Sequence, residues 1–172
     1  SEFNGYADFI GSEFKDDANI WGSEFNGYAT FRNSKFNRTA DFSGSKFKDD
    51  INFWDSEFNG YADFGNSEFD GDADFSGSEF NGYADFQIAK LKGNGLFHGA
   101  TFKKQLDLTL TEYNKLYIRW NKNNELVYDD TAYQLLIENL RKLGFMADAD
   151  NCYYQFRVDQ FLNQNPIEDP LI

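Results

Sequence analysis

The stretch SEFNGYADFGNSEFDGDADFSG, Ser56 to Gly77, decides the fold. It is one eleven-residue block written twice, with Ser, Glu, Phe, Ala, Asp and Phe returning at the same places. Outward from it the block recurs from Ser1, Ser12, Ser23, Ser34 and Ser45 on one side and from Ser78, Ala89 and Ala100 on the other, without insertion or deletion, as far as Leu110. A large apolar residue returns at alternating steps of six and five: Phe3, Phe9, Phe14, Ile20, Phe25, Phe31 and so on to Phe97, Phe102 and Leu108. Two positions before each sits a small residue, usually Ser or Ala. In extended backbone, residues two apart point the same way, so each small–x–large unit turns one small and one large side chain inward.

A helical reading of the same period fails. Eleven residues make three helical turns, but the 14 glycines would each cost a helix about 1 kcal/mol, and the Asn-Gly and Asp-Asp pairs between the Phe units are turn signals. Short extended units joined by corners are the alternative. Each unit supplies one side and one corner, four sides close a coil of 22 residues, and coils stack at the strand spacing of about 4.8 Å. The inner positions then form columns: Phe9, Phe31, Phe53, Phe75 and Phe97 in one, and Phe14, Phe36, Phe58, Phe80 and Phe102 in another. The expected architecture is an all-β solenoid of about five coils.

Units of the form A-D-F-x-x and S-E-F-x-x-x resemble the pentapeptide repeat family. The resemblance spans residues 1 to about 110 and implies a right-handed quadrilateral β-helix, with Phe or Leu at the inner centre and Ala or Ser two before it. The alternating five and six spacing departs from a strict five-residue rule and is similar to a Phe-rich variant found in archaeal sequences. After the repeats, Ile118–Trp120, LVYDDTAYQLLIENLRKLGF and DADNCYYQFR resemble the segment that follows such repeats in methanogen-type membrane proteins. That second resemblance implies a membrane segment beyond Ile172 and a soluble, cytoplasmic domain held beside a membrane.

Composition narrows the function. The 172 residues carry 16 Lys and Arg against 29 Asp and Glu, a net charge of −13, which opposes direct contact with a nucleic-acid polyanion. One Cys and one His exclude a disulfide framework, a Cys-based zinc site and a multi-His metal site within the chain. No run of apolar residues is long enough to span a membrane. The first residue is not Met and no leader precedes the repeats, so the chain reads as part of a longer or processed protein. The pattern divides it into a solenoid at 1–121 and a helical cap with a tail at 122–172.

In the second part, Leu116, Ile118 and Trp120 alternate as a last strand, ended by Asn121 to Asn124. Thr131 to Phe145 is expected to be helical, with Thr131 and Gln134 as a capping box and Gly144 at the C-terminal cap. A second helix from about Ala147 to Asn163, stopped by Pro166, would complete an antiparallel hairpin like those of tetratricopeptide repeats. One hairpin cannot bury its own face, so its expected place is the open end of the solenoid.

Candidate sites lie on the outside of the rod. Asp41, Asp63, Asp85 and Asp107 fall in one column above Asn19. Carboxylates about 4.8 Å apart repel unless something offsets the charge, so this column is a candidate Ca²⁺ ladder; the plainer reading is a solvated acidic face. Tyr6, Tyr28, Tyr61 and Tyr83 occupy N-G-Y corners and are candidates for contact with a protein partner. Trp21 and Trp54 point outward on different faces. Lys46, Lys48, Lys90 and Lys92 share one face with Glu68 and Asp70 between them, a mixed-charge surface. His98 stands outward and alone, and Cys152 reads as helix core. No P-loop, dinucleotide fingerprint, zinc motif or catalytic triad is present, and no cofactor is expected. The pattern predicts a non-enzymatic scaffold for an unidentified protein partner. Two alternatives stay open: an acidic rod that mimics DNA and binds a type II topoisomerase, as some members of the resembled family do, and a Ca²⁺-binding solenoid.

Overall fold

A computed structural model describes residues 1–164. Nearly all of the repeat region is built from parallel two-residue strands, one on each side of the coil, paired 22 positions apart. The first side stacks Glu2–Phe3, Glu24–Phe25, Lys46–Phe47 and Glu68–Phe69. The second stacks Ala7–Asp8, Ala29–Thr30, Ile51–Asn52 and Ala73–Asp74. The third runs from Glu13–Phe14 to Thr101–Phe102, and the fourth from Ala18–Asn19 to Leu106–Asp107. In the fifth coil, Lys90–Phe97 is a single eight-residue strand that spans both the first and second sides and joins them into one sheet. Asn94-Gly95, a turn signal in the sequence, therefore lies inside a strand.

Phenyl rings fill the interior in columns. Phe9, Phe31, Phe53, Phe75 and Phe97 stack with centroids 4.6 to 5.0 Å apart, and Phe14, Phe36, Phe58, Phe80 and Phe102 at 4.7 to 4.9 Å. These separations match the strand spacing, so ring stacking and backbone pairing share one step. Between columns the rings meet edge-on, as Phe42 meets Phe53 at 5.2 Å and 84°. Rings of coils two to five are buried, whereas Phe3, Phe9, Phe14 and Ile20 of the first coil are half-covered, since no described coil lies beneath them.

The five-residue spacing has a structural cause. After Phe9 the chain makes a four-residue turn, closed by the Ser12 N–H donating to the Phe9 carbonyl at 3.1 Å, with Gly11 at φ 65°. A left-handed third residue is the signature of a type II turn. The same left-handed site returns every eleven residues, at Gly22, Asn33, Gly44, Asp55, Asn66, Gly77, Ile88, Gly99 and Leu110. The Asn-Gly corners are of another kind: the glycines there have no left-handed φ. A Cβ on Gly82 would stand 2.0 Å from the Gly60 carbonyl oxygen, so this glycine permits close approach of stacked coils.

Small inner residues also divide into two kinds. The serines that close the turns are buried, and Ser34, Ser45, Ser56, Ser67 and Ser78 each donate the hydroxyl to a carbonyl 25 positions back, at 2.6 to 3.0 Å. The alanines of the A-D-F units simply pack.

The last strand, Glu112–Ile118, pairs with Lys90–Phe97, and Leu126 adds a bridge above Leu106 on the fourth side. Helix α1 spans Asp130–Lys142 and α2 spans Met146–Gln164. The start of α1 is capped by Asp129, whose Oδ1 accepts from the Ala132 N–H at 2.8 Å, and not by the expected Thr131; a side-chain acceptor immediately before the helix captures a free N–H of the first turn. Gly144 follows the helix at φ 79°, with the Phe145 N–H on the Leu140 carbonyl and the Gly144 N–H on the Arg141 carbonyl, a Schellman ending. Pro166 lies outside the described residues. The hairpin closes the end of the rod through polar contacts as well as packing. Asn139 Oδ1 accepts from the Leu116 N–H at 3.1 Å and its Nδ2 donates to the Leu116 carbonyl at 2.8 Å. One amide thus serves a backbone pair on the terminal strand that a further coil would otherwise take. Asp148 does the same for the Trp120 N–H while pairing with Arg119 at 3.0 Å.

Candidate functional site

The aspartate column and one tyrosine pair form a single structure on the fourth side. Asp41, Asp63, Asp85 and Asp107 are in register, each facing the next across one coil. In each, Oδ1 accepts the N–H two residues on: Ser43 at 3.0 Å, and Gly65, Gln87 and Thr109 at 2.8 Å. A carboxylate used in this way shapes the approach to the turn. The other oxygen of Asp85 takes the Tyr61 hydroxyl at 2.5 Å, and that of Asp107 takes the Tyr83 hydroxyl at 3.0 Å. Burial and then these hydrogen bonds hold both phenols well above the usual tyrosine range. Burial also raises the Asp63 carboxyl, partly offset by the Gly65 N–H and reinforced by Asp85 and Asp41. No three His, Cys, Asp or Glu side chains converge on a point suited to a metal ion among the described residues.

The four tyrosines divide. Tyr61 and Tyr83 lie on the corner beside the aspartates, 5.6 Å apart and tilted by 41°. Tyr6 and Tyr28 lie half a coil away, 5.6 Å apart and nearly parallel at 4°. Tyr6 is 61% exposed. The four tyrosines thus make two stacked pairs on separate corners. Trp21 and Trp54 are both exposed, and Arg32 lies over the Trp54 ring at 4.5 Å.

The first side carries the mixed charges read from the sequence. Lys46 pairs with Glu68 at 3.2 Å, Lys92 bridges Glu68 and Asp70, and Lys48 reaches Glu24. Glu68 is held below the usual carboxylate range by Lys92 and Lys46. On the third side Lys35 meets Glu57 at 2.9 Å. His98 is exposed, with Tyr117 as its ring neighbour at 5.5 Å. Cys152 is buried and its thiol is pushed up to about 12 by burial, far from a reactive thiolate.

A regular rod offers no cleft, but the segment leading to the cap makes one. An open hollow of about 610 Å³ lies between Tyr83, Lys103, Lys104, Gln105, Asn123 and Glu125. Sequence reasoning missed this hollow because residues 119–129 have no repeat to register them. It also missed the local work of the aspartates. The signal was present: the eighth residue of each block is Asp, Asn or Thr except Leu96, which lies in the uninterrupted strand.

The family model described as pentapeptide repeats (9 copies) matches residues 20–68 and 64–111, together more than half of the chain. No curated protein and no solved structure matches it. Parallel two-residue strands, four to a 22-residue coil around stacked Phe columns, are the structure that this match describes in sequence, and the chain belongs to the pentapeptide repeat family.

Proposed function

We propose that the chain is a non-enzymatic scaffold that presents a protein partner with a rigid, repeating surface. One observation carries the reading: the 22-residue register keeps outer side chains in line and ties them coil to coil. Asn26 bonds Asn4 at 2.8 Å, Asn81 bonds Asn59 at 2.8 Å, Lys46 meets Glu68, and Tyr61 meets Asp85. Such a surface is ordered before it binds, which lowers the entropic cost of recognition. Exposed Tyr6, stacked on half-buried Tyr28, is its most interface-like element. Proximity labelling with the native chain and with Tyr6→Ser plus Tyr28→Ser tests this: a defined set of neighbours should be lost with the tyrosines while the circular dichroism is unchanged. An identical set from both chains removes the corner from the proposal.

The second reading, a DNA mimic, draws on the acidic column. Residues 1–110 carry a net charge of −9. Five coils at about 4.8 Å give roughly one net charge per 2.7 Å, against about one per 1.7 Å in duplex DNA. The lower density, with lysines set among the acids, favours the scaffold. A gyrase supercoiling assay separates the two, since inhibition at micromolar protein supports the mimic and none removes it. The resemblance of residues 118–157 to a segment of membrane proteins supports placing the scaffold beside a membrane. No helix among the described residues is long and apolar enough to cross one. The reading frame beyond Ile172 tests that placement, through the presence or absence of apolar stretches of about 20 residues.

A further inference from the structure

The sign of the charge reverses along the rod. Residues 1–88 carry 6 Lys and Arg against 18 Asp and Glu, a net −12, whereas residues 89–128 carry 7 against 3, a net +4. Most of the lining of the hollow of about 610 Å³ beside the cap comes from this basic stretch, Lys103 and Lys104 included. Elsewhere on the rod Lys35, Lys46, Lys48 and Lys92 each meet a carboxylate. Lys103 and Lys104 take part in no ion pair among the described residues, although Glu57 feels the Lys103 charge at a distance. Asp107, on the strand that follows, is buried, and its oxygens already serve the Thr109 N–H and the Tyr83 hydroxyl.

The loop that completes the hollow is fixed in place. The Leu106 N–H donates to the Glu125 carbonyl and the Val127 N–H to the Leu106 carbonyl, both at 2.9 Å, which ties the loop to the fourth side. Within the loop Asn121 Oδ1 accepts from the Asn123 N–H at 2.8 Å, and Asn124 Oδ1 from the Asn121 N–H at 3.1 Å. The side chains of Asn123 and Glu125 line the hollow and have no partner among the described residues. Two ammonium groups on the corner and a carboxylate on the loop thus share one hollow without pairing. An ammonium is a compact point charge that suits the tetrahedral oxygens of a phosphate, whereas a planar carboxylate is best held by the fork of an arginine. No arginine lines the hollow among the described residues. The consecutive N–H groups of Lys104 and Gln105 find no acceptor among the described residues and add to the donors. The volume is that of a small-molecule site and leaves room for more than a phosphate group. Glu125 repels a second anionic group and accepts hydrogen bonds, so the rest of the ligand that suits it carries hydroxyls.

We propose that this hollow binds a phosphorylated polyol of the sugar-phosphate class, its phosphate held by Lys103 and Lys104 and its hydroxyls by Glu125 and Asn123. Calorimetric titration of the full chain at low salt with ribose 5-phosphate, ribose and inorganic phosphate tests this. The ester should bind, and ribose and inorganic phosphate should each bind about tenfold or more weakly than it. Lys103→Gln combined with Lys104→Gln should weaken the ester about tenfold or more. Urea unfolding of that variant should be unchanged, because neither side chain holds a partner in the chain. Glu125→Ala should weaken the ester and strengthen inorganic phosphate, since it removes a hydroxyl acceptor and a repelling charge together. No heat from the ester at millimolar concentration, equal affinities for the ester and inorganic phosphate, or a double lysine variant with unchanged affinity overturns the proposal.

Discussion

The middle coils and the last coil use the same block differently. From Ser23 to Gly77 every turn has Gly, Asn or Asp at its left-handed position. Each turn-closing serine from Ser34 to Ser78 hydrogen-bonds the coil beneath. In the last coil the left-handed positions fall to Ile88 and Leu110 on either side of Gly99, alanine replaces serine at 89 and 100, and one corner is drawn out into the strand Lys90–Phe97. The inner apolar column nevertheless continues without a break through Leu91, Phe97 and Phe102 to Leu108. The core pattern therefore sets the coil, and the turn and serine chemistry refines it. Where α1 and Glu112–Ile118 cover the end, the refinements can be lost while the coil persists.

That comparison can be broken most forcefully in the middle. Phe53 is fully buried, stacked 5.0 Å from both Phe31 and Phe75 and edge-on to Phe42 and Phe64. Phe53→Ala should cost about 3–5 kcal/mol in urea unfolding. Phe3→Ala, on a half-covered ring with a single stacking neighbour, Phe25, should cost less than half of that. Equal losses would mean that the columns do not carry the stability. A smaller effect sharpens the comparison at the other end. Ile88 holds a β-branched side chain at φ 61°, 44% exposed, so it is strained and packs little. Ile88→Gly should gain about 1 kcal/mol, the strain relieved being partly offset by the entropy of the unfolded glycine. A loss on the same urea titration would show that the isoleucine contributes packing after all. The smallest effect is expected on the fourth side. Asp63 has a folded pKa above its unfolded value, so its stabilising contribution is complete at low pH and is lost as pH rises through the folded value. Asp63→Asn keeps the Oδ1 acceptor for the Gly65 N–H and removes the charge. It should raise Tm by roughly 1–2 °C at pH 7 and by nothing below about pH 3.5, where the native carboxyl is neutral too. A gain of the same size at both pH values would assign it to something other than charge.

Much of this was legible in the sequence. The spacing of Phe9, Phe31 and Phe53 gave the coil length, the columns and the stacking, because hydrophobic periodicity reports directly which side chains point inward. The turns were legible in part: the Asn-Gly pairs at 4, 26, 59 and 81 are corners, as expected, but the second kind of turn was not singled out. Asn-Gly is the stronger short-range turn signal, yet the left-handed sites are the eleventh residues of the blocks, of which eight in ten are Gly, Asn or Asp. The difference between Ser and Ala at the small positions was also visible, but size alone explained both until the hydroxyls were seen reaching carbonyls one coil down. At the candidate site, register put the four aspartates in line. It could not show that Tyr61 and Tyr83 supply their hydrogen bonds, since a corner residue's direction depends on turn geometry. The cap was legible as two helices, while Asn139 and its grip on Leu116 depend on docking that no period encodes.

The strict 22-residue register also governs how such a gene can grow. A duplication of 22 residues adds one stacking step and leaves every column in phase, so the rod lengthens and each side keeps its own character. A duplication of 11 residues preserves every turn and every inner phenylalanine, yet rotates all that follows by half a circuit, carrying the Tyr61 corner round to the position of the Tyr6 corner. Length and facing are thus inherited in different units, and a single odd block is enough to redirect a surface without disturbing the core beneath it.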